Sequence, residues 1–302
     1  MAGFLGFFDY TKPGKGVDPD EPPKHAFFLF FELFWRKFSR MILFNFLYFL
    51  VLTPVLTFIV MYLVQVLAQI APEIVQTADG ELSLGLLMPA LGALYLRMGN
   101  FFYVLVGISL ILYGPVTCGY TYVLRNFARQ EHAWNTDFFQ KTKENFKQGL
   151  ILGLLDAVVL SVFFLNLLIV PGSAQSGALL LTISRYGSVI VVAIYLFMRN
   201  YTYLITVTFA LNIRQILKNA WIFSVLGLWR NFLILIVNAV LILAAILLHP
   251  LAELIVVPLL LFSLTGFLSV FTAYPVLKKY MIDMPAKKGL EQQANQAETE
   301  DV

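Results

Sequence analysis

Six long apolar stretches, separated by short charged segments, constrain this sequence more than any other feature. A helix needs about 20 mostly apolar residues to cross a bilayer. The stretches that satisfy this requirement are residues 41–70, 101–124, 149–170, 186–211, 231–248 and 254–277. Because backbone N–H and C=O groups find no partners in hydrocarbon, these stretches must form helices or a closed barrel, and continuous apolar runs favour helices. The sequence therefore predicts an all-α, polytopic membrane helix bundle with six transmembrane helices.

The amino-acid composition agrees with this class of protein. Hydrophobic residues make up 59% of the chain and charged residues 13%, whereas soluble domains contain about 25% charged residues. Cys118 is the only cysteine, which excludes an intramolecular disulfide. We therefore expect a lipid bilayer to be the immediate environment of most of the chain.

A threefold repeat organises the apolar stretches. Basic and aromatic residues stand directly before a span in three segments, which are residues 27–52, 137–160 and 213–239. The residues at matching points are Phe38, Phe146 and Phe232. We infer three helical-hairpin repeats, each consisting of an amphipathic interfacial helix, an outgoing span, a loop and a returning span.

Lys and Arg residues alternate between successive segments outside the predicted spans. They are numerous before the first span, after the second, after the fourth and after the sixth. In contrast, the loop after the first span carries only Arg97, the loop after the third only Arg185, and the loop after the fifth carries neither Lys nor Arg. The positive-inside rule then predicts that both termini of a cell-membrane protein lie in the cytoplasm. We expect a cytoplasmic extended segment over residues 1–26, a transmembrane domain over 27–283 and a disordered cytoplasmic tail over 284–302.

Three polar residues fall inside predicted spans: Asp156 in the third, and Arg199 and Asn200 in the fourth. A charge near the bilayer centre costs at least ~2.5 kcal/mol, so it normally faces the bundle or water. Helical rise places Asp156 about 14 Å and Arg199 about 20 Å from the membrane edge, a gap that an arginine side chain can close. These residues are candidates for an ion pair that joins the two spans, or for a polar site that binds a substrate or an ion.

No motif for catalysis or cofactor binding is present in the sequence. It contains no Gly-rich phosphate loop and no G-x-S-x-G, H-E-x-x-H or C-x-x-C motif. The three histidines, His25, His132 and His249, fall on different segments and on both sides of the predicted membrane, so they cannot bind one metal ion. We expect no enzymatic activity, no metal, no cofactor and no nucleic-acid partner.

Five stretches carry a resemblance to a known family. They are GFFDYTKPGKGV at 6–17, FFELFWRKFSRMI at 30–42, GPVTCGYTYVLRNFARQEH at 114–132, DFFQKTKENFKQGLILG at 137–153 and, more faintly, TVTFALNIRQILKNA at 206–220. In these stretches the chain resembles the YesL family of bacterial membrane proteins, whose biochemical function is undefined. The resemblance implies a location near genes for carbohydrate uptake and its regulation, and it supplies no catalytic or binding residues.

The leading hypothesis is a non-enzymatic auxiliary subunit of a carbohydrate uptake or sensing system, in contact with sugar importer permease or sensor-kinase subunits. The candidate docking surface on the cytoplasmic face comprises Arg125, Arg129, Lys141, Lys143 and Lys147. One alternative is a stand-alone small-solute transporter or channel with a site near Asp156 and Arg199. It is favoured by predicted interruptions of the spans at Pro54, Gly114-Pro115 and Pro258. Another alternative is a structural membrane scaffold.

Overall fold

A computed structural model describes residues 25–70, 97–168, 178–246 and 255–285. Those residues contain no β-strand and form nine α-helices. The helices are α1 Ala26–Arg36, α2 Phe38–Ile70, α3 Asn100–Ala128, α4 Asn135–Glu144, α5 Phe146–Leu168, α6 Ala178–Thr206, α7 Ile213–Leu226, α8 Leu228–Ile246 and α9 Phe262–Leu277. The predicted all-α fold class is therefore confirmed. The predicted N-terminal segment and C-terminal tail lie almost wholly outside the described residues.

Within the described ranges, six helical segments are long and apolar enough to cross a membrane, as predicted. They lie in α2, α3, α5, α6 and α8 and in residues 257–283, which include α9. The outgoing helices α2, α5 and α8 begin three residues earlier than the apolar windows. Each first turn contains a charged residue, Arg40, Lys147 or Arg230, which the hydropathy criterion assigned to the preceding segment.

The three interfacial helices α1, α4 and α7 join their spans through a single residue each. These joint residues have nearly the same backbone conformation: Lys37 (φ −103°, ψ 9°), Asn145 (φ −96°, ψ 16°) and Gly227 (φ −98°, ψ 15°). In each joint the N–H donates to the carbonyl four residues earlier, at 2.9–3.1 Å, and the C=O accepts from the N–H four residues later. The ladder of hydrogen bonds thus continues through the joint, and the predicted repeat is present at the level of the backbone.

The joints also correct the alignment of the third repeat. Phe38 and Phe146 are the first residues of α2 and α5, so they are equivalent as predicted. The equivalent residue in the third repeat is Leu228, which follows the joint at Gly227, and not Phe232. The misalignment arose because Phe232 is the nearest phenylalanine to Trp229 and Arg230, whereas backbone geometry defines the joint.

Helix α3 lies at the centre of the bundle and packs against α2, α4, α5, α6 and α9. Its closest approach is to α5, through facing glycines. A Cβ atom on Gly114 would lie 2.8 Å from the backbone nitrogen of Gly153, and one on Gly149 would lie 2.7 Å from the Cα atom of Pro115. The two backbones are in direct contact at these glycines, with no room for a side chain between them. This close approach lets side chains elsewhere on the two helices reach one another.

The prolines disturb the spans differently. The sequence at Gly114-Pro115 predicts a break or a bend, and helix α3 continues through Pro115 without a break. The hydroxyl of Thr117 donates to the carbonyl of Tyr113 at 2.7 Å. At Pro258, in contrast, the last span begins with a π-helical turn, Val257–Leu261. The α-helical pattern therefore persists at Pro115, whereas a wider turn forms at Pro258.

Candidate functional site: an intramembrane polar cluster

Asp156 on α5 forms the centre of a buried polar cluster between α5, α6 and α3. The residue is only 2% exposed. Tyr195, Arg199 and Tyr203 on α6 are spaced four residues apart, so the helical period brings their side chains to one face. That face lies against Asp156, and Tyr113 of α3 completes the cluster.

The hydrogen bonds of the cluster use both carboxylate oxygens of Asp156. Oδ2 accepts from Nε of Arg199 at 2.9 Å and from the hydroxyl of Tyr203 at 2.7 Å. Oδ1 accepts from the hydroxyl of Tyr195. Nη2 of Arg199 donates to the hydroxyl of Tyr113 at 2.6 Å. The cluster is electrically neutral as a whole, which lowers the cost of holding two charges away from water.

Aromatic rings enclose the guanidinium of Arg199. Its Cζ atom lies 5.2 Å from the ring centre of Tyr203 and 5.9 Å from that of Tyr113. The Arg199 side chain is nevertheless 25% exposed, and the hydroxyl of Tyr48 on α2 is a further hydrogen-bond partner of its guanidinium. The guanidinium is thus surrounded by tyrosines of three spans, α2, α3 and α6.

The structure thus brings together two of the three residues singled out in the sequence. Asp156 and Arg199 form an ion pair. Asn200 is half-buried, and its side chain makes no hydrogen bond to either residue. That the cluster binds a substrate or an ion stays a prediction. Three tyrosines were missed, although the spacing of Tyr195, Arg199 and Tyr203 was a detectable signal.

The same position of each repeat carries a polar contact within its hairpin. Counting from the joints Lys37, Asn145 and Gly227, the eleventh residue is Tyr48, Asp156 and Asn238, respectively. Tyr48 meets Thr117 on α3 at 3.0 Å, Asp156 meets Arg199 on α6, and Asn238 donates to Ser269 on α9 at 2.9 Å. Each contact links an outgoing span to its own returning span. We name this position the hairpin brace.

A second buried polar network holds the π-helical turn of the last span. The side-chain amide of Asn45 donates to the carbonyls of Val257, at 3.1 Å, and Pro258, at 2.7 Å. Its oxygen accepts from the N–H of Ser263 at 2.6 Å. The hydroxyl of Ser263 in turn accepts from Tyr120 at 3.0 Å. Asn45 thus satisfies backbone groups where the helix departs from its α-helical pattern.

The candidate docking surface is smaller than the sequence suggested, because Arg125 lies inside the bundle. Its exposed fraction is 7%. Its Nη1 donates to the carbonyl of Val207 at 2.7 Å and to the hydroxyl of Thr208 at 3.3 Å, and Nη2 donates to Asn126. Since Val207 follows the last residue of α6, Arg125 neutralises the carbonyl end of that helix. Its charge is not available to a partner.

The other four basic residues remain near the surface, and they differ in whether an acidic residue pairs with them. Arg129 pairs with Glu131 at 2.7 Å, and Lys141 pairs with Glu144 at 2.5 Å. Hydrogen bonds from Lys141 and Gln140 lower the pKa of Glu144, so this pair stays charged near neutral pH. Lys143 and Lys147 are exposed and form no ion pair within the described ranges. They are the free cations of the surface.

Within the described part of the chain, no group of three or more His, Cys, Asp or Glu side chains could hold a metal ion. Cys118 is fully buried, next to Leu152 and Tyr203. Its small side chain fills space between α3, α5 and α6.

Fold and polar cluster together indicate a multi-pass membrane protein, with six helices among the described residues that are long and apolar enough to span a bilayer. Residues 94–167 are similar to a family described as a protein of unknown function, DUF624. The match covers α3, α4 and nearly all of α5, and so contains Asp156 but not Arg199. No curated protein and no solved structure matches the chain.

Proposed function

We propose that the protein is a non-enzymatic auxiliary subunit of a carbohydrate uptake or sensing system in a bacterial cell membrane. The proposal includes membership of the YesL family, to which the stretches described above are similar, and a cytoplasmic location of both termini. Its partners are the permease of a sugar importer or a sensor-kinase subunit. Support comes from the polar chemistry inside the bundle and from the charges at its basic end, which is the end formed by α1, α4 and α7.

The observation that carries the proposal is the repeated hairpin brace. Asp156 occupies the position at which Tyr48 and Asn238 also link two spans of one hairpin. Its carboxylate accepts three hydrogen bonds from α6 and is almost completely buried. An intramembrane charge used in this way stabilises the bundle, which favours a structural role for the cluster over a substrate site.

The basic end carries exposed positive charges that take no part in contacts inside the bundle. Lys143 and Lys147 project from neighbouring helices on either side of the joint at Asn145 and are exposed. Arg129 and Lys141, each paired with an acidic residue, flank them in the same part of the chain. An acidic surface on a partner would complement this group and set the orientation in which the two proteins meet.

Co-purification tests this proposal. The tagged protein is isolated in mild detergent from its native cells, and bound proteins are quantified by mass spectrometry. Permease or sensor-kinase subunits should be recovered in stoichiometric amounts, and the double variant Lys143→Glu/Lys147→Glu should reduce recovery at least about tenfold. The matched control is Lys278→Glu/Lys279→Glu, which reverses two exposed charges beyond α9. Equal losses in both variants, or recovery of the protein alone, would overturn the proposal.

One observation favours the transporter alternative, and it is the 25% exposure of the Arg199 side chain at the centre of the cluster. A solute with an acceptor oxygen could bind there between the tyrosine hydroxyls. Proteoliposome swelling in an iso-osmotic disaccharide solution distinguishes the two functions. Swelling faster than that of empty liposomes, and lost in Asp156→Asn, would establish a pathway. Swelling equal to that of empty liposomes would argue against transport and would support a structural role for the cluster.

A further inference from the structure

Two adjoining cavities lie where α2 begins and the turn from α3 to α4 ends. The larger has a volume of about 410 Å³ and is lined by Arg40, Leu43, Trp134, Asn135 and Thr136. The smaller, of about 50 Å³, shares Arg40 and Trp134 and adds Lys37 and His132. The shared residues make one depression, which we name the interfacial pocket. It opens at the basic end of the bundle.

The cations of the interfacial pocket are held by aromatic rings rather than by acids. Cζ of Arg40 lies 5.4 Å from the ring centre of Trp134, and Nζ of Lys37 lies 5.7 Å from that of Phe127. Neither cation forms an ion pair within the part of the chain that the structure describes. A ring positions a cation without neutralising it, so both charges remain available to an anion.

The acidic residues near the interfacial pocket are already engaged. Glu131 pairs with Arg129 at 2.7 Å. Asp137 accepts from the backbone N–H of Trp134 at 2.8 Å, within the first turn of α4. Burial, followed by the charges of Arg36 and Arg40, lowers the pKa of Lys37, as expected where positive potential accumulates. The positive end of the α4 helix dipole adds to that potential.

The pocket also lies at the depth of a lipid headgroup. Arg40 is in the first turn of a spanning helix. Leu43 and Leu50 follow it at helical spacings of three and ten residues, on the same side of α2, and both are exposed. Trp134, which is 61% exposed, stands beside Arg40 as aromatic residues do at membrane interfaces. A phospholipid whose phosphate lies beside Arg40 would therefore place its acyl chains beside these leucines.

From these features we propose that the interfacial pocket binds the headgroup phosphate of an anionic glycerophospholipid. Arg40 and Lys37 contact the phosphate oxygens, and Trp134 forms the side wall. The acyl chains lie along Leu43 and Leu50. This binding is independent of any protein partner. It also differs from the general attraction of basic segments to anionic membranes, because it needs two particular cations in one depression.

Native mass spectrometry of the purified full-length protein tests the proposal. The protein in detergent is titrated with phosphatidylglycerol or with zwitterionic phosphatidylcholine, and binding of the first lipid is quantified. Phosphatidylglycerol should bind at least about tenfold more tightly than phosphatidylcholine. Lys37→Gln/Arg40→Gln should remove that preference, whereas Lys37→Arg/Arg40→Lys should retain most of it. The control Lys278→Gln/Lys279→Gln removes the same charge outside the pocket and should keep the preference.

Three results would overturn the proposal. The first is an equal loss in the pocket variant and the Lys278/Lys279 control, which would mean attraction by net charge alone. The second is equal binding of the two lipids to the wild-type protein. The third is displacement of phosphatidylglycerol by millimolar inorganic phosphate, which would identify a site for a free anion. Circular dichroism of each variant shows that a loss of binding is not a loss of fold.

Discussion

Gly149 of α5 lies against Pro115 of α3 so closely that a Cβ atom on the glycine would come 2.7 Å from the proline Cα atom. On the other side of the contact, a Cβ on Gly114 would lie 2.8 Å from the backbone nitrogen of Gly153. The obstructing atoms belong to backbone, so no side-chain rotation can relieve the overlap. This contact sets the distance between the two helices that hold Tyr113 and Asp156.

Gly149→Ala should therefore destabilise the protein by about 1–3 kcal/mol, because overpacking forces α3 and α5 apart. The same substitution at Gly107 or Gly187 is the control, since a Cβ atom there meets nothing within 4 Å. Thermal unfolding in detergent, followed by circular dichroism, measures the difference. Equal melting temperatures for Gly149→Ala and the controls would show that the helices can separate without cost.

Asp156→Ala should lower the free energy of unfolding by about 3 kcal/mol, because it leaves Arg199 buried without its partner. This loss lies at the low end of the range for buried ion pairs because the Arg199 side chain is 25% exposed. The double variant Asp156→Ala/Arg199→Leu should lose less. Tyr195→Phe, which keeps the ion pair and removes one hydrogen bond to its carboxylate, should cost about 1.5 kcal/mol. Equal losses in the single and double variants would contradict a stabilising pair.

Asn45→Ala should destabilise the last span, because it removes the side-chain hydrogen bonds to two carbonyls and one N–H. Each unsatisfied buried group costs about 1–3 kcal/mol. Asn200→Ala is the matched control, an identical change in a span where the amide makes no hydrogen bond to the polar cluster. Hydrogen exchange should rise in residues 257–263 of the Asn45 variant alone. Unchanged exchange there would mean that the π-helical turn does not depend on Asn45.

Cysteine labelling should verify the orientation of the bundle. Cys118 is fully buried, so the wild-type protein should not react with a membrane-impermeant maleimide. Lys143→Cys introduces an exposed thiol at the basic end and should react in inside-out vesicles but not in intact cells. Asp79→Cys, between the first two predicted spans, should react in intact cells. Reaction of Lys143→Cys in intact cells would reverse the proposed topology.

Hydropathy was sufficient to predict the six spans, because crossing hydrocarbon requires length and apolar character that few other structures need. It placed the starts of α2, α5 and α8 late because it cannot distinguish a charge in the first helical turn from one in a loop. Asp156 and Arg199 were recognisable together, since isolated charges in a bilayer need partners. The spacing of Tyr195, Arg199 and Tyr203 was also a signal, but a weak one, because tyrosine is common at lipid interfaces as well.

Other features depended on the three-dimensional arrangement of distant segments. Asn45 and Ser263 are 218 residues apart, and nothing local indicates that the amide of one satisfies the backbone of the other. Arg125 has the sequence context of a surface cation, and only the position of α6 shows that its partner is the carbonyl of Val207. Such contacts require the order of the helices around α3, which hydropathy does not contain.

The joint at Asn145 has a mechanical consequence. One residue separates α4 from α5, and its backbone hydrogen bonds to Lys141 and Gly149 hold both helices in register. Because α4 also packs against α3, a displacement of α4 would act on α3 directly and on α5 through these continuous hydrogen bonds. A molecule that binds Lys143 would therefore pull on the helix that carries Asp156. Binding of a partner at Lys143 would therefore displace α5 within the bundle.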